Sequence, residues 1–271
     1  MKTTILSVKE KLDSCISQLS EVSWMFSQKP GVYFTRDRKL PFHKVISCLL
    51  SMEGRTLTTE LLNYFACSAN IASSSAFIQQ RKNSAKKFFL CCLACLSIKQ
   101  IRPNHTRDCG YLLRMDLTFK SPPIPTDDTY ETVVTNLDTL NFPADELKKR
   151  YNMRWGIETS FRELKYTVGL LHFHAKKVEY IYQEVFARLI MYNFTELITS
   201  PVIIQKTDAK YAYKANFSVA VHVCRQFFFG NVSPPDVEAL IRRHVSPVRP
   251  GRSRPRKMTV KHAVSFIYRI A

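Results

Sequence analysis

LKKRYNMRWGIETSFRELKYTVGLL, residues 147–171, carries two residue patterns with the period of an α-helix. At about 100° per residue, Tyr151, Arg154, Glu158 and Lys165 share one polar face. Pro143, with two acids close behind it, is typical of a helix start, and a glycine is typical of a helix end. The pattern therefore predicts a helix from about residue 145 to about Val168, ending at Gly169. Its predicted core stripe consists of Met153, Ile157, Phe161, Leu164 and Val168.

The polar face of this predicted helix has two interpretations. It could be a solvated face on which Arg154 and Glu158 form an i,i+4 pair that contributes about 0.2–0.5 kcal/mol. It could also be a site that handles phosphates, because Glu158 stands among three cations and beside aromatic residues. In that case Glu158 would hold a divalent metal while Arg154, Arg162 and Lys165 bind phosphate oxygens. The residues alone leave both interpretations open.

The charge of the chain indicates a polyanionic partner. Its 271 residues carry a net charge of +18, and 45% of them are hydrophobic, so a packed core is expected. Nucleic acid is the commonest partner of such a chain. A membrane surface would call for a basic amphipathic helix, and none stands out. A basic protein without a special partner is the remaining alternative.

The sequence also predicts where the protein works. The start, MKTTILSVKEKLDSC, places charges where a signal peptide would continue its apolar segment, and the longest apolar run, residues 88–98, is too short to span a bilayer. We therefore expect a cytoplasmic protein whose eight cysteines are reduced.

Periodicity divides the rest of the chain into helical and extended segments. Residues 1–90 have helical spacing, and a serine-rich turn precedes a basic helix in NIASSSAFIQQRKNSAKKFF. The charges of that helix could bind phosphates or form a solvated face; they are Arg81, Lys82, Lys86 and Lys87. YLLRMDLTFK and YETVVTNL predict two strands around the proline loop SPPIPTDD. KKVEYIYQEVFARLIMYNFTELI predicts a long, largely buried helix, and residues 201–247 look helical and mixed.

A basic tail follows, VSPVRPGRSRPRK, in which prolines exclude a regular helix. It is either a solvated linker or an extended arm that follows a phosphate backbone, and the overall charge favours the arm. The candidate DNA-binding residues of the tail are Arg252, Arg254, Arg256 and Lys257.

Tyr151-x2-Arg154-x3-Glu158-x6-Lys165 resembles the Y-R-E-K signature of bacterial insertion-sequence transposases of the insertion-sequence-4 type. VVTNL before the helix and EVFARLIMYNF after it fit the same family, and the resemblance covers residues 111–199. It implies a ribonuclease-H-like core in which three carboxylates hold two Mg²⁺ or Mn²⁺ ions for phosphodiester hydrolysis and strand transfer. Glu158 would be the third carboxylate, and Tyr151, Arg154 and Lys165 would contact double-stranded DNA at the terminal inverted repeats. A homo-oligomer is an open expectation.

The chain departs from the family pattern upstream of the signature. Residues 61–107 contain neither Asp nor Glu, and too few residues precede the signature helix for a complete core. No upstream aspartate occupies the family's usual setting for the first carboxylate; those considered are Asp37, Asp108, Asp116, Asp127 and Asp128. The hypothesis is that the middle of the catalytic domain is deleted and that catalysis is impaired.

Two rival functions remain. Cys92-x2-Cys95-x9-His105-x3-Cys109 has ligand types that zinc accepts, although the apolar run around Cys92 favours buried thiols. A non-catalytic DNA-binding regulator of an intact transposase would have the same sequence features as an inactive remnant. His172 and His174 are interpreted as turn residues rather than metal ligands.

The sequence thus predicts an α+β chain with a truncated ribonuclease-H-like core. Residues 1–100 would form a helical, DNA-binding region, residues 101–200 the remnant of the catalytic domain, and residues 201–271 a helical region with the basic tail.

Overall fold

The computed structural model describes residues 5–35, 39–84, 88–89, 91–92, 123–126, 129–132, 142–143, 145–147, 155–202, 204, 211–248 and 267–268. The chain divides into two compact units. Unit 1 joins Met1–Ile98 to Glu163–Ala271, and unit 2 is Lys99–Arg162. The mixture of helices with small sheets is an α+β architecture. Part of the predicted ribonuclease-H-like core lies outside the described residues, including the predicted strand segments 111–120 and 133–137, and this core stays a prediction.

Unit 1 is built mainly from helices. Before the unit 2 segment these are α1 (Ile5–Glu21), a 3-10 helix (Ser23–Phe26), α2 (Phe42–Ser51), α3 (Leu57–Tyr64) and α4 (Ser74–Lys82). After it come a π-helix (Glu163–Thr167), β3 (His172–Phe173), α6 (Val178–Thr199), β4 (Ala212–Ala215), α7 (Phe217–Phe229), α8 (Pro234–Arg243), β5 (Val245–Val248) and β6 (Ile267–Tyr268). The helical prediction for residues 1–90 is confirmed where the structure describes them.

The core of unit 1 lies around α6, which packs against α1, α2 and α7. Many of its apolar residues are buried, which confirms the prediction of a long, largely buried helix; among them are Ala187, Ile190, Met191, Phe194 and Ile198, while Val178 in the first turn is exposed. Because α6 is covered on several sides, polar residues on it must find partners inside the protein.

Local capping explains where several helices begin and end. The Ser73 side chain accepts a hydrogen bond from the Ala76 amide at the start of α4, as the serine-rich turn predicted. Asn216 caps α7 in the same way, and α7 ends at Gly230, whose φ is +83°. Antiparallel β4 and β5 flank α7 and α8, with Tyr213 opposite Pro247. β3 pairs in parallel with β6.

Unit 2 contains β1 (Pro123–Thr126), β2 (Thr129–Thr132) and α5 (Trp155–Arg162) among its described residues. The prediction of a proline loop at 121–128 is wrong in part, because Pro123–Thr126 is the first strand of an antiparallel hairpin. Two-residue spacing points the nitrogens of Pro123 and Pro125 to the same side. Prolines are tolerated where that side is the outer edge of a two-stranded sheet.

The predicted end of the signature helix is confirmed. α5 continues directly into the π-helix, and Gly169 follows with φ at +92°. The Leu170 amide donates to the Leu164 carbonyl at 2.9 Å, which closes the helix end. A Cβ at Gly169 would lie 2.8 Å from the Glu53 carbonyl oxygen. Glycine is therefore required both by the backbone conformation and by the close approach of the Met52–Thr56 loop.

We expect Gly169→Ala to lower the free energy of unfolding by about 2–4 kcal/mol, since the strained φ and the close carbonyl add. Gly31→Ala is the matched control, because Gly31 also has positive φ, +77°, but a Cβ there meets nothing within 4 Å. The control should lose only about 1–2 kcal/mol. Urea denaturation of both variants measures the difference, and equal losses would contradict the close contact.

Candidate functional site

The structure describes the side chains of two predicted DNA-binding residues, Arg162 and the signature residue Lys165. Arg162 is exposed at the end of α5, and Lys165 is half-buried in the π-helix. Glu158 belongs to α5, but its side chain lies outside the described residues. The remaining predicted DNA-binding residues lie outside them as well; these are Tyr151, Arg154, Arg252, Arg254, Arg256 and Lys257. The predicted site residues therefore stay predictions.

The π-helix changes the predicted faces of the signature helix. The Val168 amide donates to the Glu163 carbonyl five residues earlier, at 2.9 Å. The 100° wheel assumes α-helical geometry throughout, so it misassigns the phase across this turn. Leu164 and Val168 are buried as predicted. Ile157 and Phe161 are more than half exposed, at 58% and 56%, so their assignment to the core stripe is wrong.

The Met52–Thr56 loop joins three segments of unit 1, which are α3, α7 and the end of the π-helix. The Arg225 side chain on α7 donates to the Val168 carbonyl at 2.9 Å and to the Met52 carbonyl at 3.3 Å. Glu60 Oε1 accepts from the amides of Glu53 at 2.9 Å and Arg55 at 2.7 Å. The two Arg225 bonds are buried and the two Glu60 bonds are partly buried, and together they hold the C-terminal end of the signature helix against the N-terminal part of unit 1.

A buried ion pair joins α4 to α6. Arg81 Nη1 lies 2.6 Å from Glu184 Oε1, with side-chain exposures of 5% and 0%. Arg81 Nε also donates to Gln183 Oε1 at 2.9 Å. Both interpretations of Arg81 from the sequence, a phosphate ligand or part of a solvated face, are wrong, because its guanidinium is buried in the protein. Lys82 is exposed, while Lys86 and Lys87 lie outside the described residues.

His174 belongs to the same network. Its Nε2 lies 2.7 Å from the Arg55 carbonyl oxygen, and its backbone amide donates to Glu184 Oε2 at 3.0 Å. A carbonyl oxygen only accepts, so Nε2 carries the proton. Nδ1 lies 3.5 Å from Glu184 Oε2. His174 is thus a buried link between the Met52–Thr56 loop and α6, rather than simply a turn residue.

Electrostatics in this network follow from burial and pairing. Burial alone would raise the pKa of Glu184, but its hydrogen bond with His174 and the charges of Arg81 and Arg188 outweigh burial and hold the pKa at about 2. Burial and the nearby Arg188 lower the pKa of Arg225 to about 10, although Glu53 and Glu60 oppose this. Arg225 is therefore still charged at neutral pH.

Sequence reasoning missed this network, although one signal was present. Glu184 and Arg188 stand four residues apart in the apolar stretch EVFARLIMYNF. In a buried helix, charged side chains are found almost exclusively with a partner. Arg188 is 1% exposed and donates from Nη1 to the Leu49 carbonyl at 3.4 Å. Their partners on other elements, Arg81 of α4 for Glu184 and Leu49 of α2 for Arg188, are too distant in sequence to be paired from the pattern alone.

The described residues do not by themselves fit a metal centre. Within them, no three His, Cys, Asp or Glu side chains are grouped as a metal ion would require. Asp37, Asp108, Asp116, Asp127 and Asp128 lie outside the described residues. Of the proposed zinc ligands, Cys92 is buried, 3.8 Å from Cys15 between sulfurs, while Cys95, His105 and Cys109 are not described.

Comparison with known protein families identifies the family to which the chain belongs. The model of the transposase DDE domain matches residues 36–194, more than half of the sequence, and the chain belongs to this family of transposases. The match includes the signature stretch and the buried network from Arg81 to Arg188. No curated protein and no solved structure shows a significant match. In the described part of the chain, no helix has the length and hydropathy needed to cross a membrane.

We expect Glu184→Gln to lower the free energy of unfolding by about 3–5 kcal/mol at pH 7, because it leaves Arg81 buried without its counter-charge. Glu179→Gln, on the exposed first turn of the same helix, is the control and should lose less than about 1 kcal/mol. Urea denaturation at pH 7 measures both. Similar losses for the two variants would contradict the role of the buried pair.

The pKa of Glu184 also predicts an acid dependence of stability. It is about 2 in the folded protein against 4.5 for an ordinary glutamate. The stabilisation is therefore complete above about pH 4.5 and is lost as the pH falls towards 2. Wild type should lose stability more steeply than Glu184→Gln between pH 5 and pH 3, as followed by urea midpoints. Parallel curves for the two proteins would exclude this contribution.

Proposed function

We propose that this protein is a DNA-binding transposase of the insertion-sequence-4 type whose signature helix contacts transposon-end DNA. The observation that carries the proposal is that the transposase DDE domain match, residues 36–194, encloses the spaced residues Tyr151, Arg154, Glu158 and Lys165. Glu158 is then the third carboxylate of the family's catalytic set. Tyr151, Arg154 and Lys165 bind the DNA backbone at the terminal inverted repeats, with Arg162 beside them.

The charge of the chain supports double-stranded DNA as the partner. A net charge of +18 attracts a polyanion over many charges at once, and release of counterions from DNA then drives binding. The tail residues Arg252, Arg254, Arg256 and Lys257 provide further phosphate contacts outside the signature helix. Binding of this kind weakens steeply with salt, which distinguishes it from recognition by apolar contacts.

The proposal includes impaired catalysis. Within the matched region, residues 61–107 contain neither Asp nor Glu. The family reaction needs two further carboxylates to hold Mg²⁺ or Mn²⁺ together with Glu158. An internal deletion before residue 105 accounts for the short distance to the signature helix. Such a chain binds transposon ends without cutting them, and it would act in the cytoplasm as a competitor of an intact transposase.

The test is a pair of measurements on the same purified protein. We expect binding of duplexes that carry the terminal repeats, and no cleavage of supercoiled plasmid with Mg²⁺ or Mn²⁺. Robust cleavage that Glu158→Gln abolishes would overturn the impairment and establish an active transposase. Lys165→Ala should weaken binding to the repeats about tenfold, as expected for one lost phosphate contact with its neighbours intact.

Competition distinguishes a regulator from a remnant without effect. An active transposase acting on the same terminal repeats is titrated with this protein, and strand transfer is measured. Inhibition that follows occupancy of the repeats supports the regulator. Unchanged strand transfer at saturating occupancy would exclude it.

A further inference from the structure

The end of α4 is fixed against the start of α6 by a buried arginine. Arg81 donates through Nη2 to the Tyr180 carbonyl and through Nε to Gln183 Oε1. Its guanidinium also lies over the Tyr180 ring, 5.7 Å from the ring centre. Because these contacts are made inside the protein, the residues next to Arg81 and before Tyr180 are held at one common edge of unit 1.

Exposed lysines occupy this edge from both helices. Lys82 follows Arg81 directly at the end of α4 and is exposed. Lys177 precedes the first residue of α6, and its carbonyl accepts a hydrogen bond from the Tyr180 amide at 3.0 Å. Lys177 and the preceding Lys176 are both exposed. The Arg81–Tyr180 contact therefore ties the backbone next to Lys82 to the backbone that begins α6 at Lys177, so exposed lysines from both helices border the same junction.

A third segment adds to the same edge. Ser27 and Ser84 form an antiparallel bridge, and the Gln28 amide donates to the Asn83 carbonyl at 3.0 Å. This pairing lays the chain before and after Ser27 along the end of α4. Lys29 is exposed just beyond the bridge, and Trp24, just before it, is 56% exposed.

The exposed side chains along this edge carry a net positive charge. We name Lys29, Lys82, Lys176 and Lys177 the lysine edge. The exposed acids on the same segments are Glu21 at the end of α1 and Glu179 in the first turn of α6. Glu184 is buried and paired with Arg81, so it does not offset the exposed charge. The lysines therefore outnumber the accessible carboxylates on these segments.

We propose that the lysine edge binds the phosphate backbone of duplex DNA, with Trp24 at its border. The inference rests on the proposed function and names a second DNA surface, apart from the signature helix and the tail. Duplex DNA carries a negative charge about every 1.7 Å of its axis, so lysines from three separate segments each find a phosphate. The buried Arg81 contacts hold the helix ends in place, so little order has to be gained on binding.

The test compares two double variants that remove the same charge. Lys82→Ala with Lys177→Ala removes two cations of the lysine edge. Lys214→Ala with Arg243→Ala removes two exposed cations from β4 and α8. Binding of a fluorescent duplex of arbitrary sequence is followed by anisotropy over a series of salt concentrations, with the full chain.

We expect the lysine-edge variant to bind about tenfold more weakly at 0.1 M salt, and its slope of log K against log salt to shrink by about 2. The control variant should change affinity less than about threefold and keep the slope. Lys82→Glu with Lys177→Glu should produce a larger loss than the alanine pair. Circular dichroism and thermal melting select folded protein for every comparison.

The outcomes separate the two proposals. If wild type binds DNA and both alanine pairs lose affinity equally, the lysine edge is overturned while DNA binding by the transposase stands. If wild type binds neither arbitrary duplex nor the terminal repeats, the lysine edge and the proposed function both fail. A selective loss of affinity and slope in the lysine-edge variant supports the inference.

Discussion

The carboxylate of Glu184 is the group on which the packing of unit 1 depends. It is fully buried, and an uncompensated charge there would cost several kcal/mol. The compensation comes from other segments, with Arg81 at the end of α4 and His174 before the start of α6. The network therefore acts as a constraint on assembly: α4, the residues around His174, and α6 take their places together or leave a charge unpaired.

A second junction ties this network to the signature helix. Backbone amides of the Met52–Thr56 loop donate to Glu60, and the loop approaches Gly169 closely. The Arg225 side chain donates both to the Met52 carbonyl of this loop and to the Val168 carbonyl. The end of the π-helix is thus placed by residues on α3 and α7, and Arg225 lies beyond the region that the family model matches. Lys165, two residues into the π-helix, inherits its backbone position from this arrangement.

Much of the helical architecture was predictable from sequence, and the reasons are local. Apolar spacing marked α1, α2 and α6, a serine turn marked α4, and Gly169 marked the end of the signature helix. Predictions from local sequence patterns were wrong where contacts with residues distant in the sequence determine whether a side chain is buried. Arg81 on its own has the pattern of a surface cation, and it is the groups of α6, above all Glu184, 103 residues away, that make it an interior residue.

The faces of the signature helix were predicted correctly only in part. Leu164 and Val168 are buried, while Ile157 and Phe161 in α5 are exposed. A periodic pattern assumes one helix type and misses the π-helix at Glu163–Thr167, but this turn follows Ile157 and Phe161 and does not account for their exposure. Of the candidate site, the sequence supplied the residue types and their spacing. The packing that supports Lys165 could not be predicted, because it comes from α3, α7 and a loop far away in sequence.

The discontinuity of unit 1 determines the order in which it can fold during synthesis. Lys9 on α1 donates to the carbonyls of Phe227 and Phe228, so the first helix finds these partners only after the ribosome has added more than two hundred further residues. Until then, α1–α4 emerge without α7, and Arg81 has no carboxylate partner until Glu184 of α6 has been made. A nascent chain of this kind keeps apolar helix faces uncovered until its later helices have been made, and such transiently exposed apolar surface is prone to aggregation.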